Sequence, residues 1–361
     1  MLDLLPHETA AIGIRWSLKT RCRRLCRILG GDTKMNKLLR QSVCALALAV
    51  ASGVGAQAES LRLLTSWDMT MPANIHIVQD YVKRVQEQSE GEIEITVDGP
   101  EVVAAFEQIE PVQAGVFQLL FTHPAYHTSV SWAGFALDSS VDPGPEKRRE
   151  IGLWDALDEA YNKIGLKLIA LPGSGNQGYQ FVLSTQPSDG ENPFSGLKVR
   201  GSPSYKPIIE ALGGALVVLP GGETYAAMDR GVVDGAGWPL IGFESTKLSE
   251  VAKYYVRPTF GSSTYVLLMN LDAWNGLDAD TQKTLLDIGA DVERDGFAAF
   301  EKLKTEEVER MQEAGMEEYA VSDEAAQRMQ EAFVKEQRST ALGAGGDETR
   351  KVIDIFEAND L

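Results

Sequence analysis

The sequence predicts an α/β fold in two lobes, with one very long helix running along both. Three observations carry this. Strand-patterned runs alternate with helical runs through most of residues 59–270, the arrangement that builds a largely parallel, doubly wound sheet. The 303 residues after Ala58 can bury a large core and are enough to divide into two lobes. From Asp278 to about Gly315 the pattern is almost unbroken helix. At about 1.5 Å per residue such a helix exceeds the width of one lobe.

The first 58 residues are read separately. "MNKLLRQSVCALALAVASGVGAQAES" begins at Met35 with a basic start (Lys37, Arg40), continues through an apolar stretch from Val43 to Val54, and ends in the A-x-A site Ala56-Gln57-Ala58. That is a secretory signal peptide, with an apolar part too short for a good membrane span. Met35 is expected to be the true start, residues 1–34 an upstream extension, and cleavage to follow Ala58. All three cysteines (Cys22, Cys26, Cys44) fall in this portion, so the remainder has no disulfide, thiol nucleophile or thiolate ligand. Of the chain's 34 Lys/Arg and 52 Asp/Glu, nine and three lie in residues 1–58, leaving 25 and 49 and a formal charge of −24. So negative a surface disfavours nucleic acid and anionic membranes.

"LRLLTSW" (61–67) reads as an opening strand ending in Trp67. Ile75, Val78, Tyr81, Val82 and Val85 then share one helical face, and "EIEITV" (92–97) alternates as a strand. Ile109, Val112 and Val116 mark a second helix, with Gly115 near its end, before the apolar strand "VFQLLF" (116–121). Further strands are expected at 167–171, 178–184, 197–200, 215–220 and 264–270, with helices at 207–214 and 222–231 among them. Gly289 and Gly296 are the soft points of the long helix, and helices over 322–342 and 348–359 close the chain.

Motifs for catalysis are missing. There is no G-x-S-x-G elbow, no phosphate loop and no dinucleotide fingerprint; "GSGNQG" (173–178) has the wrong spacing and reads as a loop between strands. His123 and His127 in "HPAYH" stand four apart, the separation that puts two zinc ligands on one helix face, but no third ligand is close and His76 is the only other histidine after residue 58. Lining a ligand cleft and ordinary capping are the other readings. Arg200 is the sharper case. It ends the strand "GLKVR", directly before the cap-and-first-turn pair Ser202-Pro203. In open α/β sheets that is where ligands bind, and the free N–H groups of a helix start also favour anions. An edge arginine paired with one of the many acids is the alternative.

"GALVVLPGGETYAAMDRGVVDGAGWP" (214–239) follows: strand, Pro-Gly-Gly turn, helix with Glu-Thr-Tyr, then "GVVDGAGWP". Together with "GLKVR" it resembles the substrate-binding receptors of TRAP transporters, tripartite ATP-independent periplasmic uptake systems, a family that includes C4-dicarboxylate receptors. The resemblance covers essentially everything after residue 58. It implies a periplasmic binding protein with hinged lobes, no enzymatic activity, no cofactor, a small carboxylate ligand and the TRAP membrane permease subunits as partners.

The resemblance also implies roles position by position. Arg200 matches the arginine that closes the "G-L-K-x-R" strand and holds the substrate carboxylate in a two-pronged salt bridge, for which a planar guanidinium is well shaped. Trp238 stands where many dicarboxylate receptors carry asparagine and resembles the branch that takes 2-oxo acids and related monocarboxylates. In that branch a glutamate follows and helps hold a cation. Pro239 follows here, which leaves a cation beside the substrate open. Gln180, with Gln177 and Tyr179 close by, matches a second polar group about twenty residues before Arg200, and a neutral amide points to one carboxylate rather than two. Glu223 and Tyr225 match a turn-holding E-x-Y. The family's G-x-x-D reads Gly115-Val116-Phe117-Gln118, and the following "FTHPAY" implies a remodelled wall with His123 and Tyr126 near the ligand. Trp67, and on the same argument Phe243, would make the cleft apolar, with core packing as the alternative. Lobe I is expected over 59–178 and about 266–305, and lobe II over about 179–265 and 306–361. An exported metal-assisted hydrolase or a two-lobed sensor protein are the alternatives to a transport receptor.

Overall fold

The computed structural model describes residues 59–188 and 191–361; the expected extension and signal peptide lie outside them. The strands are β1 (Glu59–Thr65), β2 (Ile93–Asp98), β3 (Leu119–Thr122), β4 (Leu166–Ala170), β5 (Gly173–Leu183), β6 (Lys198–Gly201), β7 (Ala215–Val218), β8 (Gly235–Pro239), β9 (Tyr254–Arg257), β10 (Phe260–Thr264), β11 (Val266–Asn270) and β12 (Glu317–Ala320). They form two sheets. The first has the order β2-β1-β3-β11-β4; the second is β12-β9-β5-β8-β6-β7, with β10 paired to β5.

Both sheets are mixed, not mainly parallel as expected. β1 runs parallel to β2 and β3, and β6 runs parallel to β7 and β8, as strand–helix alternation requires. β11 is antiparallel to β3 and β4, and β5 is antiparallel to β8, β9 and β10. The reversed strands are the ones that carry the chain between sheets: β4 passes to β5 across Leu171-Pro172, and β10 passes to β11 across Tyr265. The two crossings are tied together, since Tyr265 N–H donates to the Pro172 carbonyl at 2.8 Å.

A third crossing is the 35-residue helix Ala279–Glu313. Its N-cap is Asp278, whose carboxylate accepts from the N–H groups of Asp280 (3.0 Å) and Thr281 (2.9 Å). The helix packs on β4 of one sheet and β5 of the other. Gly289 and Gly296 are close-approach positions in it: a Cβ at Gly289 would collide with the Ile169 carbonyl, and one at Gly296 with the Ile77 side chain. Glu293, 1% exposed, reaches from this helix to the first crossing, where it accepts from Leu171 N–H at 2.7 Å and pairs with Arg149 at 2.8 Å.

Two expectations about the lobes change. The glycine-rich "GSGNQG" is the first half of β5, paired with β10, so the second sheet begins at Gly173. Its small residues are needed for contact, since a Cβ at Gly173 would strike the Arg148 guanidinium. The chain end also divides. Ala325, Met329 and Phe333 pack under the second sheet with Tyr179 and Phe181. Ala341, Val352, Ile353 and Phe356 return to the first sheet with Leu64, Leu120 and Leu168. The helix Asp347–Ala358 docks on the helix Leu153–Asn162 of lobe I, not in lobe II. Periodicity defines its apolar face but not which sheet that face covers.

Candidate ligand cavity between the sheets

A cavity of about 30 Å³, room for roughly two waters, lies between the two sheets. The first sheet's side contributes Trp67, Met71, Ala73, His123 and Tyr126; the second contributes Tyr179, Arg200, Ser202, Tyr205, Gly221, Trp238 and Pro239; Tyr265 stands at the crossing.

Arg200 reaches it because β6 lies between β8 and β7 and ends there. Each flank supplies a carbonyl: Nε donates to Leu219 O at 3.0 Å and Nη1 to Gly237 O at 3.1 Å. These bonds hold the fork rigidly and leave its other N–H groups toward the cavity. The residue is 3% exposed, and no carboxylate pairs with it among the described residues. Its guanidinium carbon sits 5.3 Å from the centre of the Trp238 ring, a cation–π contact.

Around this cation the walls are aromatic. Trp67 stands edge-on to Tyr265 at 5.4 Å and tilted against Tyr126 at 5.9 Å. Tyr179 and Tyr205 meet edge-on at 5.3 Å. Burial pushes the phenols Tyr179, Tyr205 and Tyr265 up, Tyr265 to about 12; Asp138's charge adds to the effect on Tyr179, and Arg200 opposes it at Tyr205. They therefore stay protonated and can donate.

The two histidines differ. His123 caps the turn Pro124–His127, its Nδ1 accepting from Ala125 N–H at 3.1 Å, and its Nε2 lies 2.8 Å from the Tyr179 hydroxyl. His127 turns Nε2 to the Thr122 hydroxyl (2.9 Å), away from the cavity lining. Burial, helped by His123, pulls its pKa down to about 3. With their ring nitrogens on different partners, the pair does not form the two-ligand face a zinc site needs.

The structure thus brings Trp67, His123, Tyr126, Arg200 and Trp238 to one cavity. Gln180 is a correction. It sits on the face of β5 that the long helix covers, with its amide donating to Met311 sulfur at 3.5 Å and accepting from Arg257 at 3.1 Å. Alternation along the strand gives the cavity Tyr179 in its place. The Gln177 side chain lies outside the description. Phe243 is fully buried in the core, and Tyr225 hydrogen-bonds Glu250 at 2.8 Å outside the cavity. The sequence reading left Tyr205, Tyr265, Ser202 and Met71 out of the site. For Tyr205 a signal was present: it follows Arg200 within the same strand-to-helix turn.

Comparison with known proteins bears on this arrangement. The model of the family described as bacterial extracellular solute-binding protein, family 7, matches residues 70–341. The monocarboxylate 2-oxoacid-binding periplasmic protein of Nostoc sp. is 26% identical over 281 residues, covering 74% of this chain and 76% of its own. A TRAP periplasmic solute binding protein from Desulfovibrio salexigens, solved with orotic acid, superimposes with a TM-score of 0.75 at 22% identity, covering 83% of this chain and 97% of its own. An extracytoplasmic solute receptor of Bordetella pertussis that binds pyroglutamic acid gives 0.73 at 21% identity, over 83% and 99%.

Proposed function

The chain belongs to family 7 of the bacterial extracellular solute-binding proteins, and from that membership we propose a receptor that captures a small organic acid through Arg200 and delivers it to a TRAP permease. It is a periplasmic binding protein and not an enzyme. The observation that carries the carboxylate is Arg200 itself. A buried cation without a counter-charge is costly, and a ligand carboxylate removes that cost through two parallel hydrogen bonds. Arg200 is the one cation among the lining residues and the other walls are mainly aromatic, so the ligand carries one carboxylate on an apolar or weakly polar body. The name of the Nostoc relative, which records monocarboxylate 2-oxoacid binding, points the same way. Pro239 adds no carboxylate beside Trp238, and binding in this account needs no resident cofactor or cation.

The cavity is small because its walls come from both lobes. Hinge motion at the strand crossings opens it to solvent, and closure excludes water from the Arg200–carboxylate pair. A thermal-shift screen of residues 59–361 against 2-oxo, hydroxy, aromatic and dicarboxylic acids, with and without sodium or calcium, tests the reading. A rise in melting temperature with monocarboxylates, indifferent to the cations, is expected. No shift with any acid would contradict it, and a shift that requires a cation would contradict the cofactor-free part.

A further inference from the structure

The cavity wall formed by His123 and Tyr179 has a polarity that can be derived from its hydrogen bonds. A backbone N–H can only donate, so the contact from Ala125 makes His123 Nδ1 an acceptor and places the ring hydrogen on Nε2. Nε2–H then donates to the Tyr179 hydroxyl oxygen, 2.8 Å away. That oxygen is occupied as an acceptor, and its own hydrogen is free for the cavity that Tyr179 lines. The Ser263 hydroxyl lies close to Tyr179 and acts on the phenol as a donor, the sense that lowers its pKa, so it does not take up the Tyr179 hydrogen.

Behind this wall is Asp138, on the turn Phe135–Ser139 and 1% exposed. Its Oδ2 lies 3.2 Å from His123 Nε2, but neither carboxylate oxygen has a hydrogen-bond partner among the described residues, and no lysine or arginine pairs with it there. A buried carboxylate left open in this way needs an explanation.

We propose that Asp138, His123 and Tyr179 form a selectivity wall that donates a hydrogen bond to an uncharged oxygen of the ligand and repels a second anionic group. The proposal rests on Arg200 binding a carboxylate. Arg200 lines the cavity itself, whereas Asp138 stands behind the wall against His123 and does not pair with Arg200. A monocarboxylate adds one negative charge, matched by Arg200; a dicarboxylate adds a second, with Asp138 behind the wall and no further cation in the lining. Closure removes water, so the repulsion is not screened as it would be in solution. An unpaired charge set against the wrong ligand is one way a binding site gains specificity. Asp138 acts through His123 and through its charge, which makes it a positioning and specificity residue and not a ligand contact.

Calorimetric titration of residues 59–361 with four-carbon probes tests this: butyrate, 2-oxobutyrate, 4-hydroxybutyrate and succinate. At least one oxygenated monocarboxylate should bind about tenfold or more tighter than butyrate, and succinate about tenfold or more weaker than that acid. Asp138→Asn should narrow the succinate gap by about tenfold and leave the monocarboxylates little changed; Tyr179→Phe should abolish the preference over butyrate. A merely structural role would move all four ligands together. If Asp138→Asn does not fold, the wild-type ranking and Tyr179→Phe still decide. Succinate binding the wild type as tightly as the oxygenated acids, or ratios unchanged in folded variants, overturns the wall while leaving the Arg200 reading intact. Failure of every acid to bind the wild type overturns both.

Discussion

Buried polar side chains near the site include some bonded within the protein and some that face the cavity. Gln180 belongs to the first group, bonded to Met311 and Arg257. Gln180→Leu is therefore expected to leave ligand affinity unchanged while lowering stability by about 1–3 kcal/mol, because Arg257 loses an acceptor; calorimetric titration and urea unfolding separate the two effects. That a polar group stands on a strand about twenty residues before Arg200 was implied by the family resemblance. Which of two adjacent residues faces the cavity was not, since a one-residue difference reverses the face. His127 is also closed off. Its pKa falls from 6.5 to about 3 on folding, so between those values the unfolded chain binds a proton that the folded chain does not. Stability should fall as pH drops below about 6.5, by roughly 2 kcal/mol at pH 5, with the loss complete near pH 3. His127→Gln should flatten this part of the urea-midpoint profile; an unchanged profile would refute the assignment.

Most elements were legible where side chains alternate or repeat; the four-residue strands β9 and β12 were not expected, and glycine obscured another. The long helix and the strand that carries Arg200 follow from pattern alone. β8 was missed because "GAGWP" has almost no side chains to alternate, and the structure shows the cause: a Cβ at Gly237 would collide with the Tyr205 ring. The same physics separates two glycines within helices. Gly289→Ala should destabilise by about 1–3 kcal/mol, since the new Cβ meets the rigid backbone of β4. Gly343→Ala, with open space around it in the helix Gln337–Ala344, should stabilise by about 0.5–1 kcal/mol. Urea unfolding of the two variants checks both signs.

At the scale of the whole molecule, four crossings join the lobes, the fourth being the chain end between Phe333 and Ala341, while the charge of residues 59–361 opposes the proposed ligand. A formal charge of −24 repels an approaching anion, so added salt should raise the association rate of an organic acid until the field is screened. Stopped-flow binding at increasing salt should show that rise; a fall would mean that a positive local field steers the ligand in. The net charge also means that affinity must come from the site itself, and within the site from Arg200. The most direct measurement is calorimetric titration of wild type and Arg200→Ala with the acid that gives the strongest thermal shift. The Arg200 assignment predicts that a folded Arg200→Ala variant loses about 2–5 kcal/mol of binding, well over tenfold in affinity. Unchanged affinity in that variant would place the carboxylate elsewhere and contradict the assignment.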